Sequence, residues 1–94
     1  MPFINQTPGF FNRASIEALN QGQVGVYGLY KPGHWIYVGQ GDIRQRLLDH
    51  LNDDNPCITR EQPMHWVAEV TLQRDAREIE LIAELKPSCN QRLG

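Results

Sequence analysis

The chain has little of what membrane, disulfide-rich or zinc-binding proteins need. None of its 94 residues falls in an apolar run approaching the roughly 18 residues that cross a bilayer, and no basic segment followed by an apolar run opens it. Cys57 and Cys89 stand apart without a CxxC pair, and there are only three histidines, so neither a disulfide framework nor a zinc site is predicted. We expect a soluble, cytoplasmic protein with free thiols in a reducing compartment and no membrane partner.

Positive charge is also scarce. Nine Lys and Arg stand against eleven Asp and Glu, and the net charge is −2. This balance argues against a chain that holds nucleic acid by bulk charge alone. Residues 24–52 form the least acidic part and residues 53–94 the most acidic. The 40% hydrophobic content is ordinary for a compact chain, and the length suits one small core.

The first 23 residues predict an arm and a short helix that pack on the rest of the domain. Residues 2–14 combine proline and glycine with several large apolar side chains, which favours an irregular arm held by its aromatics. Ser15 is the predicted N-cap of the short helix, and Gly22 ends it.

Residues 24–94 predict an α+β domain with a three-stranded antiparallel sheet flanked by helices. The position of the third strand in the sheet stays open, and residues 52–63 are polar enough for a loop or a broken short helix. The predicted elements are strands over Val24–Tyr30, Trp35–Gly39 and Met64–Thr71, and helices over Ile43–Leu51, capped by Asp42, and Asp75–Lys86.

The register of the predicted hairpin decides where its tyrosines point. A two-residue Pro32-Gly33 loop would place Tyr27 opposite Val38 and leave Tyr27 and Tyr37 on different faces of the sheet. A three-residue loop, a longer loop or a β-bulge would bring the two tyrosines to one face.

Two helices carry charged residues beside apolar stripes. Glu78 falls inside the apolar arc of the last helix, where a carboxylate needs a cation, a metal or a cleft; alternatively, Asp75 and Glu78 form a capping box. On the preceding helix, Arg46 and His50 are spaced i, i+4 and form a basic ridge. The simpler interpretation of that ridge is a solvated flank in which Arg46 pairs with Asp49, and Arg44 is a rival base.

Five short elements in order resemble the signatures of the GIY-YIG nuclease superfamily. The resemblance covers residues 24–91, and the whole ordered set is specific although each element alone is weak. The matching elements are Gly25-Val26-Tyr27, Tyr37-Val38-Gly39, Arg46 and His50 as RxxxH, Glu78-x-x-Leu81-Ile82, and Pro87-x-x-Asn90.

The resemblance implies a DNA endonuclease that uses one divalent ion, Mg²⁺ or Mn²⁺, to hydrolyse phosphodiester bonds. By motif match Glu78 would hold the metal, and Tyr27 would act as general base or orient the attacking water. Tyr37 and His50 would assist that proton transfer, and Arg46 would bind the scissile phosphate. Asn90 would brace the site, and Lys31, Gly39 and Arg44 would contact the substrate.

A second hypothesis comes from a different class of protein. A domain of the same fold could bind nucleic acid or protein without cutting, with weak or no catalytic activity. The intact set of site residues favours the nuclease. The acidic balance favours the binding module, or a partner protein or homodimer that supplies DNA affinity or specificity.

Overall fold

The computed structural model of the chain describes residue 3 and residues 8–90. The parts of the predicted arm at residues 2 and 4–7 lie outside the described residues. In chain order the elements are β1 (Gly9–Phe10), α1 (Arg13–Glu17), β2 (Val24–Lys31), β3 (His34–Asp42), α2 (Ile43–Leu51), α3 (Pro56–Glu61), β4 (His65–Val70), α4 (Arg74–Leu85) and a 3-10 turn (Ser88–Asn90).

The described strands form one antiparallel sheet in the order β1-β4-β2-β3. The predicted α+β class is confirmed, but the prediction of three strands is one strand short. The additional strand, β1, pairs Gly9 with Trp66 and Phe10 with His65, and a two-residue strand has no periodicity that a sequence could show. The predicted third strand is β4, which lies between β1 and β2.

A β-bulge in the hairpin brings its two tyrosines to one face. Lys31 pairs with His34 across a two-residue turn, in which Gly33 has a φ of 74°. The register then shifts: Tyr30 lies opposite Trp35, whereas the next pair along is Leu29 and Tyr37. The extra residue in β3 is therefore Ile36, and Tyr27 consequently lies opposite Gly39. Of the alternatives that the sequence left open, the bulge is the one that forms.

The helices cover the two faces of the sheet unequally. On one face, a core around Tyr27, Leu29 and Trp66 packs against buried residues of α1, α2 and α3. On the other face, Val26, Val38 and Val67 pack against α4 through Leu81. The two helical layers therefore approach β3, an edge strand, from opposite sides.

Helix α2 begins and ends as predicted, with the Asp42 side chain accepting a hydrogen bond from the Gln45 N–H. The predicted cap of α1 is wrong. The helix begins at Arg13, so Asn12 is the N-cap and accepts from the Ser15 N–H at 2.8 Å, whereas the Ser15 hydroxyl accepts from the Trp66 indole at 3.1 Å. The polar segment 52–63 contains a short helix, α3, capped by the Asn55 side chain.

The capping-box interpretation of α4 is wrong as well. Helix α4 begins at Arg74, its N-cap is Gln73, and no side chain caps it. Asp75 therefore lies inside the first turn, where its carboxylate accepts a hydrogen bond from the Gln40 amide at 2.7 Å. Glu78 cannot complete a box with a residue that is not the cap.

The prediction of free thiols is contradicted by a disulfide between Cys57 and Cys89, whose Cα atoms lie 5.7 Å apart. Cys57 lies in α3 and Cys89 in the 3-10 turn after α4, 32 residues later. The chain brings them together because it returns to the α3 side of the sheet after α4, a long-range contact that sequence spacing does not reveal. The expectation of a reducing, cytoplasmic location rested in part on free thiols and loses that support.

Among residue 3 and residues 8–90, no helix is long and apolar enough to cross a membrane.

Candidate functional site

A hydrogen-bonded chain of three side chains lies under the β3 edge. The Tyr27 hydroxyl is 2.7 Å from His50 Nε2, and His50 Nδ1 is 2.8 Å from a carboxylate oxygen of Asp54. Tyr27 comes from the central strand β2, His50 from the last turn of α2, and Asp54 from the loop after α2. Tyr27 and His50 are buried, whereas Asp54 is partly exposed.

Local structure explains why Asp54 can reach His50. Helix α2 ends at Leu51, and Asp53 takes a left-handed backbone conformation with a φ of 65°. This turn bends the chain back, so that the Asp54 N–H donates to the Asp49 carbonyl oxygen. The Asp54 carboxylate then faces the ring of His50 from the C-terminal end of the helix.

The contacts of His50 determine which ring nitrogen carries the proton. An ionised carboxylate only accepts hydrogen bonds, so Nδ1 of a neutral His50 carries the hydrogen and donates to Asp54. Nε2 is then the acceptor for the Tyr27 hydroxyl. Burial lowers the pKa of His50, although Asp54 opposes that shift. The neutral ring is therefore the form that prevails at neutral pH.

Burial raises the pKa of the Tyr27 phenol, and the neighbouring Tyr37 raises it further. The positive charge of Arg46 beside the hydroxyl lowers it. Tyr27 thus holds its proton in the resting protein. The positive charge that favours loss of this proton belongs to Arg46, the residue predicted to bind phosphate.

Arg46 lies between the buried Tyr27–His50 pair and the solvent. Its guanidinium donates to Asp49 at 3.0 Å and lies 4.0 Å from Asp54, and its side chain is 39% exposed. The Arg46–Asp49 pair of the simpler interpretation is therefore present. The same guanidinium also lies beside the Tyr27 hydroxyl, so the ridge is not merely a solvated flank.

Tyr37 and Gly39 complete this side of the sheet. The Tyr37 ring centroid lies 6.3 Å from that of Tyr27 and 5.2 Å from that of His50. A Cβ atom at position 39 would overlap the Tyr27 hydroxyl, so the close approach of the phenol to β3 requires glycine there. We refer to Tyr27, Tyr37, Arg46, His50 and Asp54 together as the Tyr27 cluster.

Asn90 holds the strand that carries Tyr37 and Gly39. Its amide donates to the Val38 carbonyl oxygen at 3.0 Å, and its side-chain oxygen accepts from the Val38 N–H at 2.7 Å. Val38 lies between Tyr37 and Gly39, so these two hydrogen bonds fix the free edge of β3 next to the cluster.

Lys31 and Arg44 lie away from the Tyr27 cluster. Lys31 is at the hairpin turn and donates to the backbone carbonyl oxygen of Glu61 at 2.8 Å. Arg44 lines a shallow pocket with Gln21, Asp42 and Gln45, on a different side of α2 from Arg46. The Arg44 Nε atom is buried there without a hydrogen-bond partner among the described residues.

Glu78 lies on α4, in the layer on the opposite face of the sheet from α2. It is half-buried, and burial together with the negative charge of Asp75 raises its pKa. Among the residues that the structure describes, no hydrogen bond or ion pair joins Glu78 to the Tyr27 cluster. Its place at the same site stays a prediction.

Asp54 is the member of the cluster that the sequence analysis missed. Its spacing of four residues from His50 would have been a signal within a helix. Here α2 ends at Leu51, so the contact depends on how the loop turns and not on helical periodicity.

Comparison with known proteins gives no relative: no protein-family model, no curated protein and no solved structure matches this chain.

Proposed function

We propose that this protein is a divalent-metal-dependent DNA endonuclease that resembles the GIY-YIG nucleases and hydrolyses phosphodiester bonds at the Tyr27 cluster. The observation that carries the proposal is the bulge at Ile36. Without it Tyr27 and Tyr37 would lie on opposite faces, and the hydrogen bond from Tyr27 to His50 would leave Tyr37 outside the group. With it, four of the residues named by the sequence resemblance lie together.

Arg46 is suited to bind the phosphate. It is the most accessible cation of the Tyr27 cluster, and the carboxylates of Asp49 and Asp54 already orient it. Two oxygens of a tetrahedral phosphate can accept two guanidinium N–H groups, as the two oxygens of a carboxylate do, so a phosphate can replace one of these partners in a bidentate contact. Arg46 then stabilises the charge that develops on the phosphate during attack.

Tyr27 and His50 are suited to remove a proton from the attacking water. A phenol with a raised pKa is a poor base while it keeps its own proton. The neutral Nε2 of His50 accepts that proton across 2.7 Å, within the range required for transfer. The pair can therefore work as one base.

Glu78 is suited to hold Mg²⁺ or Mn²⁺. Magnesium usually takes one or two carboxylates and completes its coordination with water and substrate phosphates, so a lone carboxylate is a sufficient anchor. Within the described residues, Glu78 makes no ion pair, and no group of three or more His, Cys, Asp or Glu could hold a metal. When bound, the ion would neutralise the phosphate and the leaving oxygen.

The test is cleavage of supercoiled plasmid, single-stranded DNA and branched DNA in Mg²⁺, Mn²⁺ or EDTA. We expect metal-dependent cleavage of at least one substrate. Glu78→Gln should abolish it, whereas Glu84→Gln, which removes the same charge from an exposed position of α4, should retain it. Cleavage that survives EDTA would contradict the metal requirement, and full activity of Glu78→Gln would contradict the assigned ligand.

One observation favours the non-cutting alternative: Tyr27 is completely enclosed, as a purely structural tyrosine would be. A binding module of this fold would shift DNA or a partner protein in a gel or in size-exclusion chromatography without cutting any of the three DNAs. An acidic chain of net charge −2 would then need a partner or a second copy for DNA affinity, as it could in the nuclease as well.

A further inference from the structure

We infer that Asp54 is a positioning residue for the proposed reaction: it holds His50 in the tautomer and orientation in which Nε2 accepts the Tyr27 proton. This inference rests on the proposed nuclease function for its kinetic consequence. It rests on the geometry of three side chains for the positioning itself.

The positioning follows from the chemistry of imidazole. A neutral histidine ring carries one N–H, and the side-chain partners decide which nitrogen carries it. Asp54 contacts Nδ1 at 2.8 Å and Tyr27 contacts Nε2 at 2.7 Å. If the hydrogen moved to Nε2, Nδ1 would present a lone pair to a carboxylate, and the Tyr27 hydroxyl would lose its acceptor.

In the proposed reaction a proton leaves the attacking water and His50 gains one, with Tyr27 between them. An O–H bond of the attacking water breaks, its proton passes to the Tyr27 oxygen, and the proton that Tyr27 held passes to His50 Nε2. The water oxygen forms a bond to phosphorus, and the bond from phosphorus to the leaving ester oxygen breaks with its electron pair going to that oxygen, which takes a proton from solvent. His50 ends as an imidazolium, whose charge Asp54 balances.

The charged and titratable groups around His50 give this role a pH signature. Asp54 and Asp49 raise the pKa of His50, Arg46 lowers it, and burial lowers it most. The rings of Tyr27 and Tyr37 also contact it. The neutral ring is the active form, so the rate is full above the pKa of His50 and falls as pH drops through it. Removing the Asp54 charge must lower that pKa further.

The first test compares pH profiles of kcat for Asp54→Asn and Asp53→Asn. Asp53 is exposed and carries the same charge, and among the described residues its carboxylate accepts a hydrogen bond from the Thr59 hydroxyl and not from His50; asparagine also tolerates its left-handed backbone. We expect Asp54→Asn to lose roughly a hundredfold in kcat, the order of a general-base contribution, and to move the acid limb to lower pH. Asp53→Asn should keep the kcat of the wild type and the pH at which its activity falls. An equal loss in both variants, or an unmoved limb in Asp54→Asn, would overturn the proposal.

The second test reads the tautomer without any activity, from the ring ¹⁵N shifts of His50, assigned with a His50→Gln variant. We expect a protonated Nδ1 in the wild type and a loss of that preference in Asp54→Asn. A protonated Nε2 in the wild type, or an unchanged tautomer in Asp54→Asn, would refute the positioning role. A wild type that shows the expected tautomer but cleaves no DNA would contradict the nuclease function and leave the positioning intact.

Discussion

The Tyr27 hydroxyl has neighbours that act on its proton in opposite directions. His50 accepts its hydrogen bond, Arg46 favours the phenolate, and burial with Tyr37 favours the phenol. A phosphate that takes Arg46 away from Asp49 and Asp54 would bring the substrate to within reach of this hydroxyl. The chemistry of the site therefore depends on single side chains, and substitutions can separate their contributions.

Substitutions of Arg46 and Arg44 should have different effects, the first on the cleavage rate and the second on DNA binding. Arg46→Ala should lose about 3 kcal/mol of transition-state stabilisation, which is about a hundredfold in cleavage rate, because its guanidinium lies beside Tyr27. Arg44→Ala should mainly weaken DNA binding, because Arg44 faces the pocket with Gln21 and Gln45. Single-turnover rates and DNA affinities of both variants decide this. If Arg44→Ala were the inactive variant, the assignment of Arg46 to the scissile phosphate would be wrong.

The preference for Arg46 over Arg44 could be reached from sequence, because the i, i+4 spacing to His50 is a property of any α-helix. The contact between Asp54 and His50 could not be predicted from sequence. It depends on the left-handed turn at Asp53, and no local pattern of polar residues after a helix specifies such a turn.

The hairpin shows what strand patterns leave undetermined. Alternation and turn composition predict both strands and their turn, and the two-residue turn forms. The bulge at Ile36 does not follow from them, because every residue of β3 is compatible with a regular strand. The extra residue, Ile36, is buried in the core with Tyr27 and Leu29, and such a tertiary contact is not contained in a strand pattern.

The two hydrogen bonds of Asn90 indicate that the 3-10 turn stabilises β3. Asn90→Ala removes both side-chain hydrogen bonds to Val38 and should lower the free energy of unfolding by about 1–3 kcal/mol. Cleavage should fall as well, because Tyr37 and Gly39 flank Val38. Urea unfolding followed by fluorescence measures the first effect. An unchanged unfolding midpoint would show that β3 does not depend on this contact.

Substitution of Glu78 on α4 should not destabilise the fold, in contrast to substitution of Asn90. Its pKa is raised by burial and Asp75, so the ionised form destabilises the fold, and stability is lost as pH rises through that raised value. Glu78→Gln should therefore be as stable as the wild type or more stable at pH 7, although inactive. Thermal unfolding at pH 4 and pH 7 checks this, and a lower melting temperature of the variant at pH 7 would contradict it.

The Cys57–Cys89 disulfide links distant parts of the molecule. It joins α3 to the 3-10 turn, and it therefore connects the segment after Asp54 with the segment that ends in Asn90. The sequence could supply the fold class, the two larger helices and most of the cluster, since these depend on periodicity and motif spacing. It could not supply this disulfide, because pairing two cysteines requires knowing where the chain returns.

Reduction should destabilise the whole domain. A cross-link between residues 32 apart stabilises by about 4 kcal/mol in the chain-entropy model. The Cys57→Ser, Cys89→Ser double variant should lose about this much in denaturant unfolding, and reductant should lower the wild type to a similar value. Free thiols detected by mass spectrometry in the oxidised wild type, or an unfolding midpoint insensitive to reductant, would contradict the disulfide.

The most direct test of the nuclease proposal is the single-turnover cleavage of DNA in Mg²⁺ by Tyr27→Phe beside the wild type. Phenylalanine fills the same core volume and removes only the hydroxyl that contacts His50. The proposal predicts a folded variant, verified by circular dichroism, whose cleavage is slower by about a hundredfold or more while it still binds DNA. A Tyr27→Phe variant that cleaves as fast as the wild type would contradict the proposal that the Tyr27 cluster is the catalytic site.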